Sequence, residues 1–299
     1  MIGENERVRG SLRAGVRAAA FPIGGLMLTY VAAMLTPWGR SLDRLASHGR
    51  YGSGWSLSSA DLVLLELIST ATLTLALVVL VLVSGIRRQW GLGLRGVLAV
   101  VGSILSAETL KHVLPSQNRW SEDWSWFGAG TFPSGHAVVV TSLSLAVLSI
   151  ASDGWRRRLI GPLAAATAIV TTATVTVGWH RPSDVLGSLF LATAWHQLTA
   201  VGAPADRRLR TMLPRVPLAP SQRWSGRWRG HLPTALWWAA ASALVLGAAI
   251  EGSTWTWWAR LASTAYVGSL TVLLAGVLVT ITLAHQPAPA GFERGVSEG

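Results

Sequence analysis

The chain has 299 residues, 51% of them hydrophobic and 13% charged, against about 25% charged in a soluble chain; this excludes a pair of soluble domains and reads as an integral membrane protein. It has no cysteine, which excludes disulfides, thiol catalysis and zinc–thiolate sites. The formal charge is +11, and 24 of the 25 bases are arginine; the one lysine is Lys111.

A hydrocarbon core of about 30 Å takes about 20 apolar residues as helix. In chain order the candidate spans lie between Arg17 and Arg40, between Glu66 and Arg87, from about Leu92 to Val113, and from His136 to Asp153. Four more lie between Arg158 and His180, between Asp184 and Asp206, between His231 and Glu251, and between Arg260 and His285. The runs are continuously apolar and do not alternate, so helices are expected and a β-barrel is not. Arg7, Arg9, Arg13 and Arg17 precede the first run as they would in a signal peptide. Its 22 uncharged residues exceed the apolar core of such a signal, and it reads as a retained span.

Orientation follows the bases. With the N-terminus cytoplasmic, 18 of the 25 fall inside, among them Arg87, Arg88, Arg95, Arg156, Arg157, Arg158 and seven arginines between Pro204 and Pro233. Eight spans with both termini inside therefore fit the bias. The basic stretch 204–232 reads as a cytoplasmic linker in preference to a nucleic-acid or anionic-lipid patch, and no nucleic-acid partner is expected. The organisation expected is all-α: a polytopic membrane bundle with a six-helix core over 1–203, the linker, a two-helix transmembrane addition over 233–285 and a flexible tail over 286–299. Tryptophans near span ends, such as Trp38, Trp90, Trp155, Trp237, Trp238 and Trp258, suit interfacial anchors. Nothing in the sequence indicates an oligomeric state.

Ionisable groups at membrane depth are costly and point to function. Three places hold them: Glu108 to His112 at the end of the third span, Phe132-Pro133-Ser134-Gly135-His136 at the start of the fourth, and Gly178-Trp179-His180-Arg181-Pro182-Ser183-Asp184 before the sixth. In the eight-span topology all three lie at the external face. Ser134 suits a helix cap, leaving backbone N–H groups that attract phosphate or another anion. Asp184 follows His180 by four residues and can accept one ring N–H, freeing the other nitrogen to attack or to take a proton. Lys111 supplies a point charge and Arg119 a planar fork for anionic oxygens. Each feature also has a plain structural reading: a cap, a structural hydrogen bond, and a self-neutralising Glu108–Lys111 pair.

Lys111, then Pro133-Ser134-Gly135-His136, then His180 with Asp184 resemble the three signature blocks of the type 2 phosphatidic acid phosphatase and vanadium haloperoxidase superfamily, across about residues 92–199. The resemblance implies a phosphatase that needs neither metal nor cofactor. His180 would form a phosphohistidine, oriented by Asp184; His136 would protonate the leaving alkoxide and then activate water. Lys111, Ser134 and the Gly135 amide would hold the phosphate oxygens. Two blocks depart from the family pattern. Arg119 follows Lys111 after seven residues instead of six, with Trp120 where proline is usual, and Ala173-Thr174 stands where Ser-Arg is usual. Arg181 is the candidate substitute for the missing arginine. The expected activity is hydrolysis of a lipid phosphate or diphosphate, of polyprenyl or glycerolipid type, at the outer face of a bacterial-type inner membrane. The alternatives are a lipid-phosphate binding or transport protein and a phosphotransferase on the same scaffold.

Overall fold

The computed structural model describes residues 16, 19–52, 63, 65–114, 131–200, 264–266, 268–274 and 276–277. The linker 204–232, the span between His231 and Glu251, the tail 286–299 and Arg119 lie outside the described residues. Within them the chain is all helical, without strands. We number the helices α1 (Ala19–Leu35), α2 (Pro37–Gly52), α3 (Thr70–Ile86), α4 (Trp90–Val113), α5 (Gly135–Ile150), α6 (Asp153–Thr176), α7 (Pro182–Ala200) and α8 (Thr264–Leu274).

Local chemistry sets the helix ends. Ser69 and Thr72 form a reciprocal capping box at the start of α3, each side chain accepting the other's backbone N–H. A tight turn through Arg88 at φ 53° then reverses the chain into α4. At the α5–α6 turn Arg156 donates from Nε to the Leu148 carbonyl at 3.1 Å and from Nη2 to that of Ala151 at 3.2 Å, placing a cation on orphan carbonyls at a helix C-terminus. These short connections make α3–α4 and α5–α6 antiparallel pairs. The ends of α4 and α6 and the starts of α5 and α7 thus share one end of the bundle, with Arg87, Arg88 and Arg156–Arg158 at the other.

Trp90–Val113 and Gly154–Thr176 are each long and apolar enough to cross a membrane; Ala19–Leu35 with Pro37–Ser47 passes only as a pair bent by 88°. Thr70–Ile86 and Gly135–Ile150 are shorter apolar helices. Leu75, Val79 and Leu82 on α3 and Leu94, Leu98 and Leu105 on α4 are exposed, an apolar surface that water would penalise and hydrocarbon accommodates. The chain is a membrane protein.

The bend after α1 has a local cause. Thr36 is extended and its hydroxyl accepts the Gly39 N–H at 3.0 Å, so it caps α2, with Pro37 in the first-turn position that proline favours. Gly39 packs against the Ala32 carbonyl so closely that a Cβ has no room. α2 carries Arg40, Asp43, Arg44 and Arg50, too many charges for hydrocarbon, and lies across the end of α1, outside the spans. The sequence places a single span between Arg17 and Arg40; in the structure its last residues already belong to this transverse helix.

The core is a set of apolar clusters between helices. Leu26, Tyr30 and Met34 of α1 pack with Phe132, Ala107, Val138 and Leu191. Leu80, Val100, Ala146 and Ile150 join α3, α4 and α5. On the other side Tyr266 and Leu273 of α8 are buried with Ala137, Val175 and Val185, so this late helix contacts the residues that follow His136 and Asp184. Several buried hydroxyls bond inside or between helices, as in Ser103 to the Ala99 carbonyl at 2.6 Å and Ser144 with Thr167 at 3.0 Å.

Candidate active site

The three blocks meet at one end of the bundle. α6 ends in a turn through Gly178 at φ 80°, a left-handed position that suits glycine. The Thr174 carbonyl accepts the N–H groups of Trp179 at 3.1 Å and His180 at 3.2 Å. The chain thereby turns back on α6 and presents His180 immediately before α7. Pro182 opens α7, and Asp184 in its first turn accepts the Arg181 N–H through Oδ2 at 3.0 Å. The same oxygen lies 3.5 Å from Nδ1 of His180. This is at the long edge of hydrogen bonding and within a small side-chain adjustment of it. Asp184 is fully buried and the His180 side chain is 13% exposed. Neither Oδ1 of Asp184 nor Nδ1 of His180 has a hydrogen-bond partner among the described residues, which leaves the carboxylate available to the ring.

The Pro-Ser-Gly-His segment is tied to this same turn. The Ser134 N–H donates to the Asp184 carbonyl at 3.2 Å. The Ser188 hydroxyl is 2.9 Å from the Ser134 carbonyl and 2.7 Å from that of Asp184, positioned to donate to either. Gly187 lets the Phe132 ring rest directly on α7 where a Cβ would collide with it. Ser134 caps α5, its Oγ accepting from the Ala137 N–H at 3.5 Å. The start of α5, with its unpaired N–H groups, is an anion-attracting terminus.

His136 follows at the second position of α5. Its ring lies 5.4 Å from that of Trp179, and it hydrogen-bonds to the backbone of Leu65. His180 and Lys111 are the two ionisable neighbours that act on it electrostatically. Lys111, in the last turn of α4, has its Nζ 3.4 Å from where a Gly135 Cβ would stand, so glycine leaves open the space between ammonium and helix terminus. Lys111 also pairs with Glu108 at 2.7 Å, with side-chain exposures of 21% and 53%.

His180, Asp184, His136, Lys111, Ser134 and Gly135 are therefore brought together from α4, α5, α7 and the turn between α6 and α7, and Arg119 lies outside the described residues. Thr174, at the position where the family pattern has arginine, is fully buried and donates its hydroxyl to the Thr171 carbonyl at 2.8 Å. Arg181 is 2% exposed, beside a carboxylate the sequence reading passed over: Asp43 of α2. Asp43 Oδ1 accepts the Ser183 N–H at 3.2 Å and Oδ2 accepts the Ser183 hydroxyl at 2.7 Å. Its one available signal was an acid on the inner face of an otherwise basic, amphipathic segment. Burial, and secondarily the Asp184 carboxylate, push the Asp43 carboxyl up to about 7 against the opposing effects of Ser183 and Arg181.

An all-helical membrane bundle that collects two histidines, a buried carboxylate, a lysine and a helix N-terminus at one end defines a phosphate-handling membrane protein. The sequence model of the PAP2 superfamily matches residues 23–208, and the chain belongs to that superfamily. It is, at that level, a phosphoester hydrolase acting on a membrane-associated phosphate substrate. Neither the curated proteins nor the solved structures contain a match.

Proposed function

We propose that the chain hydrolyses a lipid phosphate or diphosphate, of polyprenyl or glycerolipid type, at the outer membrane face through a phosphohistidine on His180. The observation that carries this reading is the His180–Asp184 approach of 3.5 Å beside the capped start of α5. With Asp184 holding Nδ1, Nε2 of His180 attacks phosphorus. The bond from phosphorus to the lipid oxygen of a monophosphate, or to the bridging oxygen of a diphosphate, breaks, and His136 donates a proton to the departing oxygen. His136 then takes a proton from water, whose oxygen displaces His180 and releases inorganic phosphate. Lys111, Ser134, the Gly135 amide and an arginine, Arg181 or Arg119, hold the phosphate oxygens as charge builds in the transition state. No step uses a metal ion.

The outer face is supported by the arginines at the opposite end of the bundle, which suit the cytoplasmic side. A lipid substrate is supported by the position of the site at the ends of membrane-crossing helices. Inner-membrane placement and cytoplasmic termini belong to the same proposal. Thr174 favours a second reading: with no arginine at that position, the scaffold binds or moves a lipid phosphate, or transfers the phosphoryl group to an alcohol, without efficient hydrolysis.

The experiment is phosphate release by the purified chain in mixed micelles containing phosphatidic acid or a polyprenyl diphosphate, without added metal. Metal-independent release by wild type, with a phosphoryl adduct trapped on His180 and both lost in His180→Ala, is expected. Equal slow release by wild type and His180→Ala ends the phosphohistidine mechanism. Phospholipid binding without release or trapping favours the second reading.

A further inference from the structure

Asp43 and Ser183 are 140 residues apart in sequence, yet both carboxylate oxygens of Asp43 engage Ser183. The carboxylate is buried, and Arg181, just before α7, and Asp184, in its first turn, are the charged groups that act on it. On its own helix, Arg40 is directed elsewhere, donating from Nη1 to the Met34 carbonyl at 3.3 Å. A buried carboxylate next to a second one is expensive, and stability alone would be served as well by an apolar side chain. Both side-chain hydrogen bonds of Asp43 fall on Ser183, in the segment that immediately follows His180.

Resting on the phosphatase reading above, we infer that Asp43 is a positioning residue for phosphoryl transfer. It holds the first turn of α7 through Ser183, and the neighbouring Arg181, in the arrangement that presents His180 to phosphate. Arg181, buried and close enough to act electrostatically on the Asp43 carboxylate, lies in the same turn. The transverse helix α2 is then part of the catalytic framework, linked to the site by one side chain.

The test uses the full chain in detergent, with Asp43→Asn, Ser183→Ala and the double variant. Asparagine can accept from the Ser183 N–H and receive or donate at its hydroxyl, so this variant keeps the packing and removes the charge. Positioning predicts kcat lowered about tenfold to a hundredfold, with KM within about twofold of wild type. It predicts a double variant no worse than the poorer single one, because the two residues act as a unit. The decline in wild-type kcat as pH falls through the Asp43 titration is expected to be smaller in Asp43→Asn, which lacks that carboxyl.

Wild-type kcat and pH profile in a folded Asp43→Asn overturn the role. If that variant does not elute as a folded monodisperse species, Ser183→Ala decides the matter: reduced kcat at unchanged KM supports the role, and wild-type values overturn it. Wild-type protein that neither releases phosphate nor binds orthovanadate removes the phosphatase reading and this inference with it. Normal wild-type turnover with unaffected variants removes only the inference.

Discussion

Nδ1 of His180 stands 3.5 Å from Oδ2 of Asp184, and that same oxygen accepts the Arg181 N–H at 3.0 Å. One carboxylate therefore caps α7 and faces the imidazole, so the ring is oriented by the element that begins beside it. Asp184→Asn keeps an acceptor for the cap but offers the ring a donor or a weaker acceptor. A loss of about a thousandfold to ten-thousandfold in kcat is expected, the scale seen when an orienting carboxylate becomes an amide. Helical content by circular dichroism should be unchanged; a loss below tenfold in a folded variant argues against this role.

The Glu108–Lys111 pair predicts competition between carboxylate and phosphate for one ammonium. Because Glu108 is half exposed, the pair is worth little, about 0.2–1 kcal/mol. Glu108→Gln is expected to tighten inhibition by orthovanadate by about two- to fivefold, and Lys111→Met to weaken it by more than about tenfold. Unchanged inhibition in both variants places the anion away from Lys111.

Close packing of Phe132 on Gly187 holds the Ser134 segment against α7. Gly187→Ala is expected to cost about 1–3 kcal/mol through overpacking and to lower phosphate release further by displacing Ser134. Gly24→Ala, inside α1 where nothing stands within 4 Å of an added Cβ, is expected to be neutral or to stabilise by up to about 1 kcal/mol. Thermal unfolding in detergent checks both, and equal behaviour of the two variants contradicts the contact.

The carboxyl of Asp43 titrates at about 7 in the folded chain against an ordinary 3.8. A raised folded value means a contribution to stability that is full below about 3.8 and is lost as pH rises through about 7. Wild type is therefore expected to lose stability relative to Asp43→Asn over that interval, at up to about 1.4 kcal/mol per pH unit. Unfolding of both proteins across a pH series reads the difference; a difference independent of pH contradicts the burial of this carboxyl.

Much of the site was legible in the chain because its signals are local. Ser134 before a helical run is a cap by its own hydroxyl, Pro182 and Asp184 suit a first turn, and His180 and Asp184 are one turn apart. Glu108 and Lys111 meet because residues three apart share a helix face. Asp43 was not legible, since its partner is 140 positions away and its helix resembles an external basic loop. Neither was Ser188, one hydroxyl among many in apolar helices, whose role depends on Ser134 lying alongside.

By itself the sequence determined that this is a helical membrane chain with the signature blocks of its superfamily, and it singled out the candidate residues that the structure gathers at one end of the bundle. Hydropathy, capping and one-turn spacing are properties of short segments and survive without a fold. Only the tertiary structure decided that Thr36 and Gly39 turn α2 across the bundle, that Asp43 meets Ser183 and Arg181, and that Tyr266 packs beside the residues following His136 and Asp184. Those relationships arise from how helices distant in sequence close on one another, where burial and a few hydrogen bonds choose the partner.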